Sequence, residues 1–175
     1  MTEKKFTYIL VSTAALAILI VILLNIPWGG DRGTIMREFE SLDKDHVYET
    51  ISYDEVYKKI NSGETFQLFI GHGKNADGTP YTDGTSFAYE ADKLAKIYNV
   101  ETIYYLNLPS LNEEQITNLK VTTSHYISFP TLIYFESESD VSSIAYNISS
   151  LKELGDFDYN WRSLLTQYFK DCYEN

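Results

Sequence analysis

Ile127-Ser128-Phe129-Pro130-Thr131-Leu132-Ile133-Tyr134-Phe135 is the stretch on which the reading of the fold turns. After the proline, residues 131–135 alternate as a strand, and residues 141–146 alternate again, so the two read as a closing hairpin. Upstream, Phe66-Gln67-Leu68-Phe69-Ile70 is nearly continuous in apolar character, which suits the centre of a sheet covered on both faces. The segments around these follow a regular order. Residues 47–51 read as a strand, and Ser52-Tyr53-Asp54-Glu55 is a capping box that opens a helix ending near Asn61-Ser62-Gly63. Phe87, Ala91, Leu94, Ala95 and Tyr98 form a helical stripe, residues 102–106 a strand and residues 111–119 another helix. A last helix is predicted over 159–173, with Trp161, Leu164, Leu165 and Phe169 on one face.

The resulting order, β-α-β-α-β-α-β-β-α over residues 47–173, resembles the thioredoxin fold, an α/β architecture with a central mixed sheet flanked by helices. The 127–135 stretch looks like the cis-proline loop and following strand of that fold, and Phe69-Ile70-Gly71 looks like the strand that delivers its active site. With the apolar N-terminal segment included, the whole chain is similar to the membrane-attached, thioredoxin-like bacteriocin transport accessory proteins. They also pair a capping-box helix with a Tyr-Tyr-Leu-Asn strand, here Tyr104-Tyr105-Leu106-Asn107. In active relatives the cis-proline loop pairs with an extended substrate peptide beside the active-site loop, a strand-addition mode that needs no thiol. The resemblance therefore implies partner-binding roles for Phe129, Pro130 and Thr131, with Thr79 and Tyr81 in the neighbouring loop.

The chain departs from this family where the chemistry would be. A thioredoxin site needs two thiols three positions apart, the first attacking as thiolate and the second resolving the mixed disulfide. This chain has one cysteine, Cys172, far in sequence from the loop. Between Gly71 and Phe87 it reads His72-Gly73-Lys74-Asn75-Ala76-Asp77-Gly78-Thr79-Pro80-Tyr81-Thr82-Asp83-Gly84-Thr85-Ser86. Counting back from Phe87 puts Tyr81-Thr82-Asp83-Gly84 in the redox position, whereas matching chemistry puts Thr79-Pro80-Tyr81-Thr82 there, and the sequence does not choose between them. Under either alignment a threonine hydroxyl without an adjacent base is too weak an acid to replace a thiolate. Dithiol redox activity is therefore excluded, and no cofactor is expected.

Residues 6–28 carry no charge, and as a helix this run spans about 35 Å, enough for a bilayer core. It is longer than the apolar region of a cleavable signal, and Trp28 suits the headgroup boundary, so it reads as a retained single-pass anchor. Lys4 and Lys5 on one side face Arg32, Arg37 and Lys44 on the other, which balances the positive-inside count. A short basic stub before a long apolar run has the layout of an uncleaved export signal, which places the C-terminal domain outside the cell. The expected organisation is a stub and anchor over 1–28, a linker and stem over 29–46, and the thioredoxin-like domain over 47–175. Gly29-Gly30-Asp31-Arg32-Gly33 reads as a flexible break, followed by a short stem helix marked by Ile35, Phe39 and Leu42. The net charge of −11 makes nucleic acid a poor partner, and the acidic residues, dispersed among 15 tyrosines, read as a solvated surface.

Other motifs are weak. Asn75-Ala76-Asp77-Gly78 echoes the middle of a calcium loop, but Gly84 stands where that loop needs a bidentate glutamate, so turn chemistry explains both Asp-Gly pairs and no metal is expected. His46, His72 and His125 are scattered, with no Ser-His-Asp spacing, HExxH or phosphate-binding glycine motif. Asn147-Ile148-Ser149 is a glycosylation acceptor only in an organism that glycosylates exported chains. What remains is a binding role toward an exported peptide or a membrane protein. Two competing readings are an enzyme using His72 with Asp77 and Asp83, and a domain with no ligand. A deep pocket of converging polar groups favours the enzyme, and a shallow apolar groove favours binding.

Overall fold

The computed structural model describes residues 13, 16, 30–123, 129–136, 142–147 and 157–174. Thr13 and Leu16 have helical backbone, and the rest of the apolar 6–28 run lies outside the described residues. Among the described residues, no helix is long and apolar enough to cross a membrane.

Among the described residues, five strands form one sheet in the order β1-β3-β2-β4-β5. They are β1 (Tyr48–Thr50), β2 (Phe66–Gly71), β3 (Ile103–Asn107), β4 (Thr131–Glu136) and β5 (Ser142–Asn147). β1 and β2 both run parallel to β3, whereas β4 pairs antiparallel with β2 and with β5, so the predicted hairpin is present and closes one side of the sheet. The peptide bond between Phe129 and Pro130, leading into β4, is cis. This mixed sheet, with its strand order and the proline ahead of β4, is the thioredoxin-like arrangement that the element order implied.

The helices that accompany the sheet are α1 (Gly30–Glu38), α2 (Tyr53–Asn61), α3 (Thr82–Ile97), α4 (Glu113–Thr123) and α5 (Phe157–Tyr173). The capping box at the start of α2 is complete: Ser52 Oγ accepts from the Glu55 N–H, and the Glu55 carboxylate accepts from the Ser52 N–H, which satisfies two helix-end donors. Alternation along β2 sends its side chains to two cores. Leu68 and Ile70 pack with Val56 of α2 and Leu119 of α4 on one face. Phe69 packs with Phe87 and Ala91 of α3, and with Leu165 and Phe169 of α5, on the other.

The segment expected as a break and stem packs into the domain. Helix α1 starts at Gly30 and runs through Asp31, Arg32 and Gly33, where a flexible break was expected. Ile35, Phe39 and Leu42 are all buried in the same core as Phe69 and Phe87. Two polar ties reinforce this docking. Asp31 Oδ2 accepts from the Thr50 N–H at 2.8 Å on edge strand β1. His46 is buried, its Nδ1 accepting from the Tyr48 N–H and its Nε2 donating to the Arg32 carbonyl, an arrangement that fixes one neutral tautomer. Together these tertiary contacts outweigh the helix penalty of two glycines, about 1 kcal/mol each.

Candidate functional site

Strand β2 ends at Gly71, where a Cβ would lie 3.1 Å from the Pro130 Cβ, so the proline sits directly against the end of the central strand. The chain then turns through the loop between β2 and the next helix. Glu38 of α1 holds its entrance, its Oε1 accepting from the N–H groups of Gly73 at 2.7 Å and Lys74 at 3.1 Å. Lys74 and Pro80 form an antiparallel bridge, and between them the Asn75 N–H donates to the Thr79 carbonyl at 2.8 Å. Asp77 Oδ1 accepts from both the N–H and the hydroxyl of Thr79, and those bonds lower its carboxyl below the ordinary aspartate value. Gly78, at φ +83°, takes the left-handed position of this turn. Asp77-Gly78 therefore does the turn work read from the sequence.

Helix α3 begins at Thr82 with Tyr81 as its N-cap. Of the two alignments, Tyr81-Thr82-Asp83-Gly84 is the one at the helix start, and Thr79-Pro80 belongs to the preceding turn. The Tyr81 N–H donates to the Gly73 carbonyl at 2.7 Å, and its ring stacks on His72 with centroids 4.5 Å apart and planes 12° from parallel. A Cβ at Gly84 would overlap the His72 carbonyl and the Tyr81 ring, so the first turn of α3 is pressed onto the end of β2. The junction of β2 and α3 is thus occupied by a tyrosine–histidine stack and a close-packed glycine.

The five expected contact residues divide. Pro130 is buried against Gly71, and half-buried Tyr81 stacks on the neighbouring His72. Phe129 is half-buried and leans against the core of α2 and α4. Thr79 is exposed, with its side chain committed to Asp77 and Asn75 within the turn. Thr131 is wholly buried as the first residue of β4, so its side chain is enclosed. The residues of the enzyme reading are also separated. His72 lines an open cleft of about 490 Å³, together with Glu38, Lys74, Asn75, Asn107 and Pro109, whereas Asp77 and Asp83 are absent from that lining. Sequence reasoning missed Glu38 and Asn107 as site residues. Asn107 was visible only as the end of a strand motif, and Glu38 carried no local signal.

Cys172 lies in the last turn of α5, packed against the core near Tyr134, which pairs with Gln67 at the start of β2. It is therefore at the opposite end of the strand from His72. Burial pushes its thiol from the ordinary value of 9.0 up to about 12. The folded thiol keeps its proton where the unfolded one loses it, so its contribution to stability is complete below pH 9 and is lost as the pH rises toward 12. At neutral pH almost no thiolate is present. Alkylation of native Cys172 by iodoacetamide at pH 8 is expected to be roughly a hundredfold or more slower than in urea. Equal rates in the two states would show an accessible, reactive thiol.

No protein-family model and no curated protein matches the chain. Among solved structures, the chain is similar to the J-Trx1 fragment of ERdj5, at 19% identity and a TM-score of 0.43. The match covers 72% of this chain and 51% of the other, so this chain spans about half the length of that structure.

Proposed function

We propose that this chain is a membrane-anchored, redox-inactive accessory protein of the bacteriocin-accessory type, whose domain binds an extended segment of an exported peptide or membrane partner beside Pro130. The observation that carries the reading is the packing of Pro130 against Gly71 with the His72–Tyr81 stack at the next residue of the same strand end. Strand addition draws its affinity from backbone groups and its selectivity from neighbouring side chains, so the enclosure of Thr131 does not weaken it. Half-exposed Tyr81 and Phe129 supply aromatic surface beside that backbone. The lone, half-buried Cys172, distant from this end, supports a role without thiol exchange. Residues 6–28 supply the anchor, and the domain stands outside the cell. The acidity of the chain disfavours nucleic acid as a partner.

Photo-crosslinking amino acids placed at Phe129 and at Tyr81 of the full chain, in its native membrane, test the reading. A polypeptide adduct is expected from both positions and none from Val121, which is 72% exposed on α4. The same adducts from all three positions, or from Val121 alone, would refute the docking surface. Protease added outside the same intact cells is expected to remove the domain, and full protection until lysis would reverse the orientation.

A further inference from the structure

The cleft beside His72 lies where the topology favours ligand binding. β2 and β3 are parallel neighbours with Gly71 opposite Asn107, and their chains leave in opposite directions. The one after β2 enters α3 on the Phe69 face, and the one after β3 enters α4 on the Leu68 face. The gap outside two such carboxyl ends is a topological switch point, where open α/β sheets bind ligands.

The polar groups on the walls are only partly used. Glu38 spends Oε1 on the Gly73 and Lys74 N–H groups, and among the described residues its Oε2 has no hydrogen bond. Asn107 Oδ1 accepts from the Tyr105 hydroxyl at 3.2 Å, which leaves its amide N–H groups as donors. Asn75 spends its amide nitrogen on Thr79 and the Pro80 carbonyl and leaves its oxygen as an acceptor. The Lys74 ammonium is 3.8 Å from Glu40, a loose pair with donors to spare. His72 is held by stacking, and its buried Nδ1 has no hydrogen-bond partner, a cost that calls for an explanation. One carboxylate and one ammonium on the same walls disfavour both a bare anion and a bare cation. They complement a molecule that carries both charges.

We propose that this cleft is a second binding site, for a small zwitterion of the amino-acid type. The ligand ammonium answers the acceptors of Glu38 and Asn75, and its carboxylate answers the donors of Lys74 and Asn107. Its side chain meets the Pro109 and His72 walls. A volume of about 490 Å³ suits a ligand of this size. The site lies on the β3 side of β2, whereas Pro130 lies on the β4 side; the two surfaces share His72, and the titration below reads the cleft without the docked peptide.

Calorimetric titration of the full chain in detergent with each proteinogenic amino acid, and with its N-acetyl and carboxamide derivatives, tests the proposal. At least one free amino acid is expected to bind with a Kd below about 1 mM, and both capped forms to bind at least about tenfold more weakly. Lys74→Met, at a half-exposed loop position, is expected to weaken binding at least about tenfold while leaving the melting temperature unchanged. Glu38→Gln is expected to weaken it as well, with its melting temperature recorded to separate lost charge from a loosened loop. Absence of binding by every free amino acid, equal binding by the capped forms, or full affinity in Lys74→Met would overturn the proposal.

Discussion

A fragment beginning at residue 45 is expected to lack cooperative unfolding, whereas one beginning at residue 30 is expected to melt in a single transition. Both fragments lack residues 1–29, so the difference isolates α1 and the turn after it. Phe39 is fully buried, with its ring centroid 5.7 Å from Phe69 and 5.1 Å from Tyr105, and it stacks with Tyr48 at 6.5 Å. Truncating a buried phenylalanine costs about 3–5 kcal/mol, and each of Ile35 and Leu42 about 2–5 kcal/mol. Loss of all three approaches the whole stability of an ordinary domain, about 5–15 kcal/mol. Removal of α1 also strips the Glu38 acceptor from the Gly73 and Lys74 N–H groups and the Asp31 acceptor from Thr50. In the full chain, Phe39→Ala is expected to lower stability by about 3–5 kcal/mol in urea denaturation. A 45–175 fragment that melts like the 30–175 fragment would show that α1 rests on the core without supporting it.

The same segment shows what could be read in advance and what could not. The strands and the α2 cap were legible because their signals are local: β2 is apolar except at Gln67, and Ser52 and Glu55 carry both halves of the capping box within four residues. The spacing of Ile35, Phe39 and Leu42 was read as a helical stripe, but the helix ends at Glu38, so only Ile35 of the three lies in it, although all three are buried in one core. Their docking place was not legible, because that depends on Phe69, Tyr105 and Thr50, all remote in sequence. The start of α3 was ambiguous for a different reason. Tyr81 makes no side-chain cap bond, so no local residue marks the boundary, and the helix begins where the Tyr81 N–H meets the Gly73 carbonyl. The start of α3 was therefore set by tertiary contact. Glu38 and Asn107 became site residues by the same route, each brought to His72 by packing of elements far apart in the chain.

Gly73→Ala and Gly84→Ala are expected to be the most damaging single-methyl changes in the loop, for a reason that turn chemistry does not contain. A Cβ at Gly73 would overlap the Glu38 carbonyl and press on the Phe39 ring, both parts of the α1 docking contact. Neither obstacle is the free end of a flexible side chain, so relief requires α1 or the loop to shift. At Gly84 the obstacles are the His72 carbonyl and the Tyr81 ring. Alanine there improves helix propensity by about 1 kcal/mol, which acts against the clash. Overpacking of a tight contact costs about 1–3 kcal/mol or more, and at Gly84 the obstacle is backbone, so the clash is expected to win. Gly78 provides the contrast. Its φ is positive but nothing lies within 4 Å of an added methyl group, so Gly78→Ala is expected to cost only about 1 kcal/mol of backbone strain. Urea denaturation is expected to rank Gly73→Ala and Gly84→Ala above Gly78→Ala by at least about 1 kcal/mol. Gly84→Ala is also expected to reduce crosslinking from position 81, because it displaces the His72–Tyr81 stack. Gly84→Ala with unchanged stability and unchanged crosslinking would mean that the first turn of α3 yields easily, and that the tyrosine–histidine stack does not shape the proposed docking surface.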